Sequence, residues 1–73
     1  MSERPETIPV RLNGSERNVP AGLSVHALLE HLDLVPATVV VERNKRILRR
    51  DQYTDEPVES GDELELVHFV GGG

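Results

Sequence analysis

The stretch GDELELVHFVGGG, residues 61–73, decides the fold of this chain. Apolar and polar side chains alternate from Glu63 to Leu66, and a period of two is typical of a β-strand with one buried face. One face then holds Leu64, Leu66, His68 and Val70, and the other holds Glu63, Glu65, Val67 and Phe69. Gly61-Asp62 predicts a turn before this strand, and the three glycines after it cannot extend a β-ladder without a large entropic cost.

A similar alternation opens the ordered part of the chain. Ile8, Val10 and Leu12 face one way in a first strand, and Asn13-Gly14 predicts a tight hairpin because both residues tolerate positive φ. The return strand, residues 15–19, would place Glu16 across from Arg11 if the turn has two residues. Its few apolar side chains predict an edge strand with weak burial.

One amphipathic helix follows the hairpin. Ser24 can cap its start, because the hydroxyl can accept from backbone N–H groups one turn further on. A single apolar stripe is formed at i, i+3, i+4 and i+7 by Val25, Leu28, Leu29 and Leu32. We predict that the helix ends near Asp33-Leu34, before Pro36.

The centre of the chain predicts a second hairpin. Residues 38–43 are rich in β-branched side chains and predict a strand that is covered on both faces. Asn44-Lys45 predicts a turn, and Ile47-Leu48 a short returning strand. The irregular stretch 50–60 is expected to be anchored by Tyr53 and Val58.

Together these elements predict an α+β fold. One amphipathic helix can cover only one face of a sheet, so we expect a mixed sheet of four to five strands with one main helix packed across one face. The last strand should lie parallel to the first, in the middle of the sheet, which describes a ubiquitin-like β-grasp. We expect a flexible N-terminal tail at residues 1–7, the β-grasp domain at 8–70 and a flexible glycine tail at 71–73.

Composition excludes several classes of function. The 73 residues include no cysteine, so thiol catalysis and thiolate metal sites are excluded. The net charge of −5 disfavours nucleic-acid binding. Neither a signal peptide nor a membrane span is recognisable, so we expect no membrane association and a cytoplasmic location. The basic stretch Arg43, Lys45, Arg46, Arg49 and Arg50 is either a solvated hairpin or a patch for an acidic partner.

The residues offer no catalytic site and no metal site. His26 and His31 are five positions apart and do not share a helical face, and His68 is expected to be a packed, hydrogen-bonded side chain. The carboxylates Asp55, Glu56 and Glu59 cluster in a loop without an apolar pocket that would suit them to acid–base catalysis. We therefore expect the chain to contribute no catalytic residue of its own.

The glycine tail is the strongest functional candidate. Gly73 would carry a main-chain carboxylate, and Gly71 and Gly72 lack Cβ atoms, so the tail could thread a narrow active site of a partner enzyme. A carboxylate is a poor electrophile and must first become a mixed anhydride such as an acyl-adenylate. The chain has no ATP site, so a partner must supply this step. Phe69 and Val67, beside the tail, are interpreted as a partner-docking surface.

At this point the sequence resembles the thiamine-pathway sulfur carrier family, ThiS, over nearly its full length. The matching stretches are Leu12-Asn13-Gly14, Leu23-Ser24-Val25 with Leu28-Leu29, residues 40–44 (VVERN), 61–66 (GDELEL) and 67–73 (VHFVGGG). A terminal diglycine alone is shared by many ubiquitin-like proteins, whereas the Glu-Arg-Asn turn together with the His-Phe-Val-Gly-Gly-Gly ending is more specific. The sequence differs from the shortest members in its additional residues 1–7.

The resemblance implies a β-grasp fold and a reaction cycle. An E1-like adenylating enzyme with its own ATP and Mg²⁺ would form the acyl-adenylate at Gly73. Sulfur delivered through a cysteine desulfurase would convert it to a thiocarboxylate, and thiazole synthase would take the sulfur to build the thiazole ring. The chain itself would bind no cofactor stably.

Four alternatives remain open from the sequence. The small subunit of molybdopterin synthase uses the same kind of tail, and a ubiquitin-like protein modifier or a tRNA-thiolation carrier would activate the same glycine. A modifier would build chains poorly, since Lys45 is the only lysine. A purely structural binding domain would leave the glycines unexplained.

Overall fold

The computed structural model describes residues 6–68, which form five strands and one α-helix. The elements are β1 (Thr7–Leu12), β2 (Ser15–Pro20), α1 (Val25–His31), β3 (Val39–Arg43), β4 (Arg46–Ile47) and β5 (Glu63–His68). Short 3₁₀ helices cover Pro36–Thr38 and Arg50–Gln52. Thr7, which is included in the predicted N-terminal tail, is the first residue of β1. Residues 1–5 and 69–73 lie outside the described residues, so the two predicted tails stay predictions.

The strands form one mixed sheet in the order β2-β1-β5-β3-β4. β5 lies in the centre, parallel to β1 and antiparallel to β3, while both hairpins are antiparallel. This is the topology expected for the β-grasp, and it confirms the predicted fold class. β5 is therefore flanked on both sides, and its direction is set by two hairpins.

The N-terminal hairpin has the predicted two-residue turn. Asn13 and Gly14 adopt φ values of 49° and 85°, which match the right-handed twist of the flanking strands. Arg11 lies opposite Glu16 in the register. β2 is an edge strand whose first four residues are exposed, as expected from their polarity.

The helix is capped at both ends. The Ser24 hydroxyl accepts a hydrogen bond from the Ala27 N–H at 3.0 Å, which confirms the predicted cap. The helix ends at His31, about one half-turn before the predicted end, because Asp33 adopts a left-handed conformation (φ 64°). The N–H groups of Asp33 and Leu34 donate to the carbonyls of Glu30 and Leu29 in a Schellman pattern.

A single apolar core joins the helix to one face of the sheet. Its buried members are Ile8, Val10, Leu12, Val19, Val25, Leu28, Leu29, Val39, Val41, Tyr53, Val58 and Leu64. The prediction that β3 is covered on both faces is wrong: Val39 and Val41 are fully buried, whereas Val40 and Glu42 are half-buried. The β-branched run reflects a central position in the sheet, and only one face receives the helix.

Tyr53 and Val58 are buried, as predicted for the irregular stretch. The Tyr53 hydroxyl donates to the Val39 carbonyl at 2.8 Å and accepts from the Val41 N–H at 3.2 Å. β4 pairs only with Glu42 and Arg43, and the Leu48 N–H donates to the Val41 carbonyl at 3.0 Å. The Val41 N–H and the Val39 carbonyl are not reached by these contacts. The phenol therefore completes the edge of β3 where β4 does not reach.

Candidate functional site

The residues proposed to carry function lie at the end of β5. Val67 is described by the structure, whereas Phe69, Gly71, Gly72 and Gly73 lie outside the described residues. β5 itself is placed by β3 up to His68, which pairs with Val39. The sheet thus fixes the point from which the chain continues toward Gly73.

Val67 lies on the sheet face opposite the helix, which we call the open face. Val67 is 57% exposed, and it pairs with Val40 of β3. Ile47 of β4, 70% exposed, shares this face because it pairs with Glu42. The open face therefore carries apolar side chains that the domain does not use in its core. The role of Val67 in docking stays a prediction.

Acidic side chains occupy the same face further from the tail. Glu42 lies directly opposite Glu65, and Glu63 is the next residue of β5 on that face. Like charges in a directly opposed pair are unfavourable. Lys45 lies beside the three carboxylates around one shallow depression. The open face is thus apolar near the end of β5 and acidic near its start.

His68 is exposed, so the expectation of a packed histidine is wrong. The ladder between β1 and β5 ends where Leu12 meets Leu64. Beyond that point β1 has turned away, and only β3 flanks the last residues of β5. The alternation of the sequence placed His68 on the correct face of β5. It could not show where β1 stops covering the edge of that strand.

Arg43 contradicts the interpretation of the basic stretch as a wholly solvated one. Its side chain is 18% exposed and donates from Nε to Asp62 Oδ2 at 2.9 Å and from its guanidinium to Glu56 Oε1 at 2.7 Å. Asp62 also accepts from the Glu59 N–H at 2.8 Å and from the Asn44 amide at 3.2 Å. This network, the Arg43 network, holds the loop before β5 against the end of β3.

The other bases are on the surface. Arg49 pairs with Asp51 at 3.2 Å, with both side chains largely exposed. Lys45, Arg46 and Arg50 are exposed and form no ion pair within residues 6–68. The structure therefore divides the basic stretch into one structural arginine and a few solvated charges. Whether the solvated charges bind an acidic partner stays a prediction.

Two asparagines that the sequence placed only in turns also bind the central strand. The side-chain oxygen of Asn13 accepts a hydrogen bond from the Leu66 N–H at 2.8 Å, and that of Asn44 accepts one from the Glu63 N–H at 2.9 Å. Sequence reasoning missed this role because it depends on the register of three strands. The available signal was that asparagine, with both a donor and an acceptor, occupies the first position of each turn.

The remaining candidates have ordinary structural roles. His26 Nδ1 lies 3.8 Å from Glu30 Oε1 on the helix surface. No group of three potential metal-binding side chains occurs within residues 6–68. Over the same residues, every buried side-chain nitrogen or oxygen has a hydrogen-bond partner. None of the helices in this part of the chain is long and apolar enough to cross a membrane.

Comparison with known proteins gives a consistent result. The ThiS family model matches residues 10–73. The sulfur carrier protein ThiS of Escherichia coli is 33% identical over 64 residues, covering 88% of this chain and 97% of that protein. The crystal structure of the thiamine biosynthesis protein ThiS from Geobacter metallireducens superimposes with a TM-score of 0.75 at 33% identity, covering 90% of this chain and 100% of that chain.

A longer relative also matches. The thiazole synthase of Magnetococcus marinus is 41% identical over 64 residues, which cover 88% of this chain and 20% of that protein. The chain spans about a fifth of the length of the thiazole synthases that it matches. The β-grasp topology, the family match that extends to Gly73 and the relatives of similar length agree, and the chain belongs to the ThiS family.

Proposed function

We propose that this chain is a sulfur carrier of thiamine biosynthesis that is acted on by partner enzymes and is not itself an enzyme. The similarity to the Escherichia coli sulfur carrier over 88% of the chain carries this proposal. The fold supports it, because a sheet with β5 at its centre presents one end of a strand from which the chain continues to the glycines.

In the proposed reaction, the Gly73 carboxylate attacks the α-phosphorus of ATP and displaces pyrophosphate. The resulting acyl-adenylate is an activated carbonyl, and the outer sulfur of a persulfide displaces AMP from it to give an acyl disulfide. A second thiol then attacks the S–S bond, which releases the thiocarboxylate and leaves a disulfide on the donor side. The adenylating enzyme binds the ATP and Mg²⁺. This chain supplies the acyl group, with Gly71 and Gly72 narrow enough to thread the partner's active site.

Three partners follow from this cycle. They are an E1-like adenylating enzyme, a sulfur donor supplied by a cysteine desulfurase, and thiazole synthase. The match to thiazole synthases supports the last, since a segment similar to this chain occurs within those longer proteins. We place the cycle in the cytoplasm, without a nucleic-acid or membrane partner.

We also propose that Val67 and Phe69 form the docking surface. Val67 supports this, because a 57% exposed valine on the open face contributes little to the core. The neighbouring Val40 extends the apolar area across two strands. Because Phe69 and Val67 are two residues apart in one alternating stretch, one partner surface could contact both.

Intact-mass spectrometry tests the proposal. The chain is incubated with the adenylating enzyme, ATP, Mg²⁺, a persulfide donor and a thiol reductant, and we expect the mass change of one oxygen replaced by sulfur. The matched control lacks Gly73, and it should gain nothing under the same conditions. An unchanged mass with a partner that activates another ThiS protein would contradict the carrier function.

A second stage separates the pathways. The sulfur-loaded chain is offered to thiazole synthase or to the large subunit of molybdopterin synthase, and we expect transfer only to the former. Covalent attachment of the chain to lysines of other proteins would instead indicate a modifier.

A further inference from the structure

β5 extends further along the sheet than its neighbour β1. The parallel ladder with β1 contains two pairs, Arg11 with Glu63 and Leu12 with Leu64. The chain then turns away at Asn13-Gly14, whereas β5 continues to His68. The backbone groups of Leu66 that face β1 would have no strand residue to bind.

The side chain of Asn13 fills this position. Its oxygen accepts from the Leu66 N–H at 2.8 Å, and its amide nitrogen lies 3.4 Å from the Leu66 carbonyl oxygen. Its backbone N–H donates to the Leu64 carbonyl at 2.9 Å. The amide thus imitates one further residue of β1, which the left-handed conformation of Asn13 (φ 49°) permits.

Asn44 makes a comparable contact on the other side of β5, at its start. Its side-chain oxygen accepts from the Glu63 N–H at 2.9 Å, and its backbone N–H donates to the Glu63 carbonyl at 2.7 Å. It too opens a turn with positive φ, 51°. The two asparagines have the same chemistry and similar conformations, but they hold opposite ends of the strand.

We propose that Asn13 is a positioning residue for tail activation: it holds Leu66, and with it Val67, at the point where the chain continues to the glycines. This inference rests on the proposed function. Leu66 is seven residues before Gly73. A partner that contacts Val67 while it binds the tail has a higher affinity if this segment is already ordered. Without Asn13, this segment would be held by β3 alone. Binding must then complete its ordering, and part of the affinity is lost.

The test compares Asn13→Gly with Asn44→Gly in the full chain. Glycine adopts both turn conformations without strain, so each variant loses its side-chain bridge to β5. Asn44→Gly also loses the hydrogen bond from the Asn44 amide to Asp62. ATP-dependent pyrophosphate release by the adenylating enzyme gives KM and kcat for the carrier. Thermal unfolding and the hydrogen exchange of the Leu66 amide are measured on the same samples.

We expect Asn13→Gly to raise KM about three- to tenfold with kcat nearly unchanged, as for the loss of one hydrogen bond that pre-orders a bound segment. Its Leu66 amide should exchange faster. Asn44→Gly should lower the midpoint of thermal unfolding about as much as Asn13→Gly does. It should nevertheless leave KM within about twofold of the parent value. Asn13→Asp keeps the acceptor for Leu66 and tolerates positive φ, so it should restore most of the affinity.

Two results would overturn the proposal. Equal increases of KM in both glycine variants would show a general effect of stability. An unchanged KM in Asn13→Gly, with faster exchange at Leu66, would show that partners do not need this order. If Asn13→Gly does not fold, the comparison of Asn13→Asp with Asn13→Ser, which has a shorter side chain, decides by the same KM criterion. Failure of the parent chain to be activated contradicts the proposed function instead.

Discussion

Two arginine–aspartate pairs show how much the surroundings of one residue matter. Arg43 and Asp62 meet where their side chains are 18% and 8% exposed, and further hydrogen bonds satisfy the carboxylate. Arg49 and Asp51 meet where their side chains are 76% and 72% exposed. A solvated ion pair contributes little to the stability of the fold. Removing one partner of a buried pair, in contrast, leaves the other charge buried and unpaired.

We therefore predict that Asp62→Asn lowers the free energy of unfolding by about 1–3 kcal/mol, because three donors lose a charged acceptor. Asp51→Asn is the matched control and should change it by less than about 0.5 kcal/mol. Urea unfolding followed by circular dichroism measures both. Equal effects of the two substitutions would show that the Arg43 network contributes no more than a surface pair.

Tyr53 gives a second prediction at this scale. Tyr53→Phe keeps the buried ring but leaves the Val41 N–H and the Val39 carbonyl without their partner. We expect a loss of about 1–3 kcal/mol, the cost of leaving a buried polar group unsatisfied. The same urea titration measures it, and a loss below the error of the measurement would show that water reaches this edge of β3.

At the scale of elements, α1 depends on its surroundings. It has seven residues, and a helix of this length is not stable alone in water. The helix packs against the sheet through Val25, Leu28 and Leu29. Ser24 and the turn at Asp33 provide hydrogen-bond partners for backbone groups at its two ends. Packing therefore holds the helix, and the caps set where it begins and ends.

We predict that Ser24→Ala costs about 1 kcal/mol, since the Ala27 N–H loses its acceptor. Ser60→Ala, in an exposed turn, is the control and should leave the stability unchanged. Chemical unfolding of both variants measures the difference. A Ser24→Ala variant as stable as the parent would show that water replaces the hydroxyl at the helix start.

The sequence predicted those elements whose signals are local. Alternation placed β1 and β5, and Asn13-Gly14 placed the first turn and its register. The one-sided cover of β3 was not predictable from Val39 to Val41, because a β-branched run does not record what lies on each face. The bridges from Asn13 and Asn44 and the burial of Arg43 depend on which strands become neighbours, and that is a tertiary property.

At the scale of the whole molecule, the two ends of β5 differ in character. The start of the strand is tied down by the Arg43 network and Asn44, and acidic side chains lie on the open face there. The other end exposes Val67 beside Val40. The Arg43 network and the proposed docking surface thus lie at opposite ends of one central strand, and Asn13 holds the strand beside the docking surface.

This arrangement gives a prediction about docking. Val67→Ser should weaken binding to the adenylating enzyme several-fold with little loss of stability, because the side chain is already exposed. Ile47→Ser is the matched control: it lies on the same face but two strands away from β5, and it should leave binding unchanged. Calorimetric titration against the partner measures both affinities, and equal weakening would place the docking surface across the whole open face.

Tyr53 has one further consequence. It is the only tyrosine in a chain without tryptophan, so the near-ultraviolet absorption above the phenylalanine bands comes from one phenol. That phenol is buried and bound to β3 on the side away from β5. Its fluorescence is therefore an intrinsic optical signal of whether the core is intact, and partner binding at the end of β5 should leave it nearly constant.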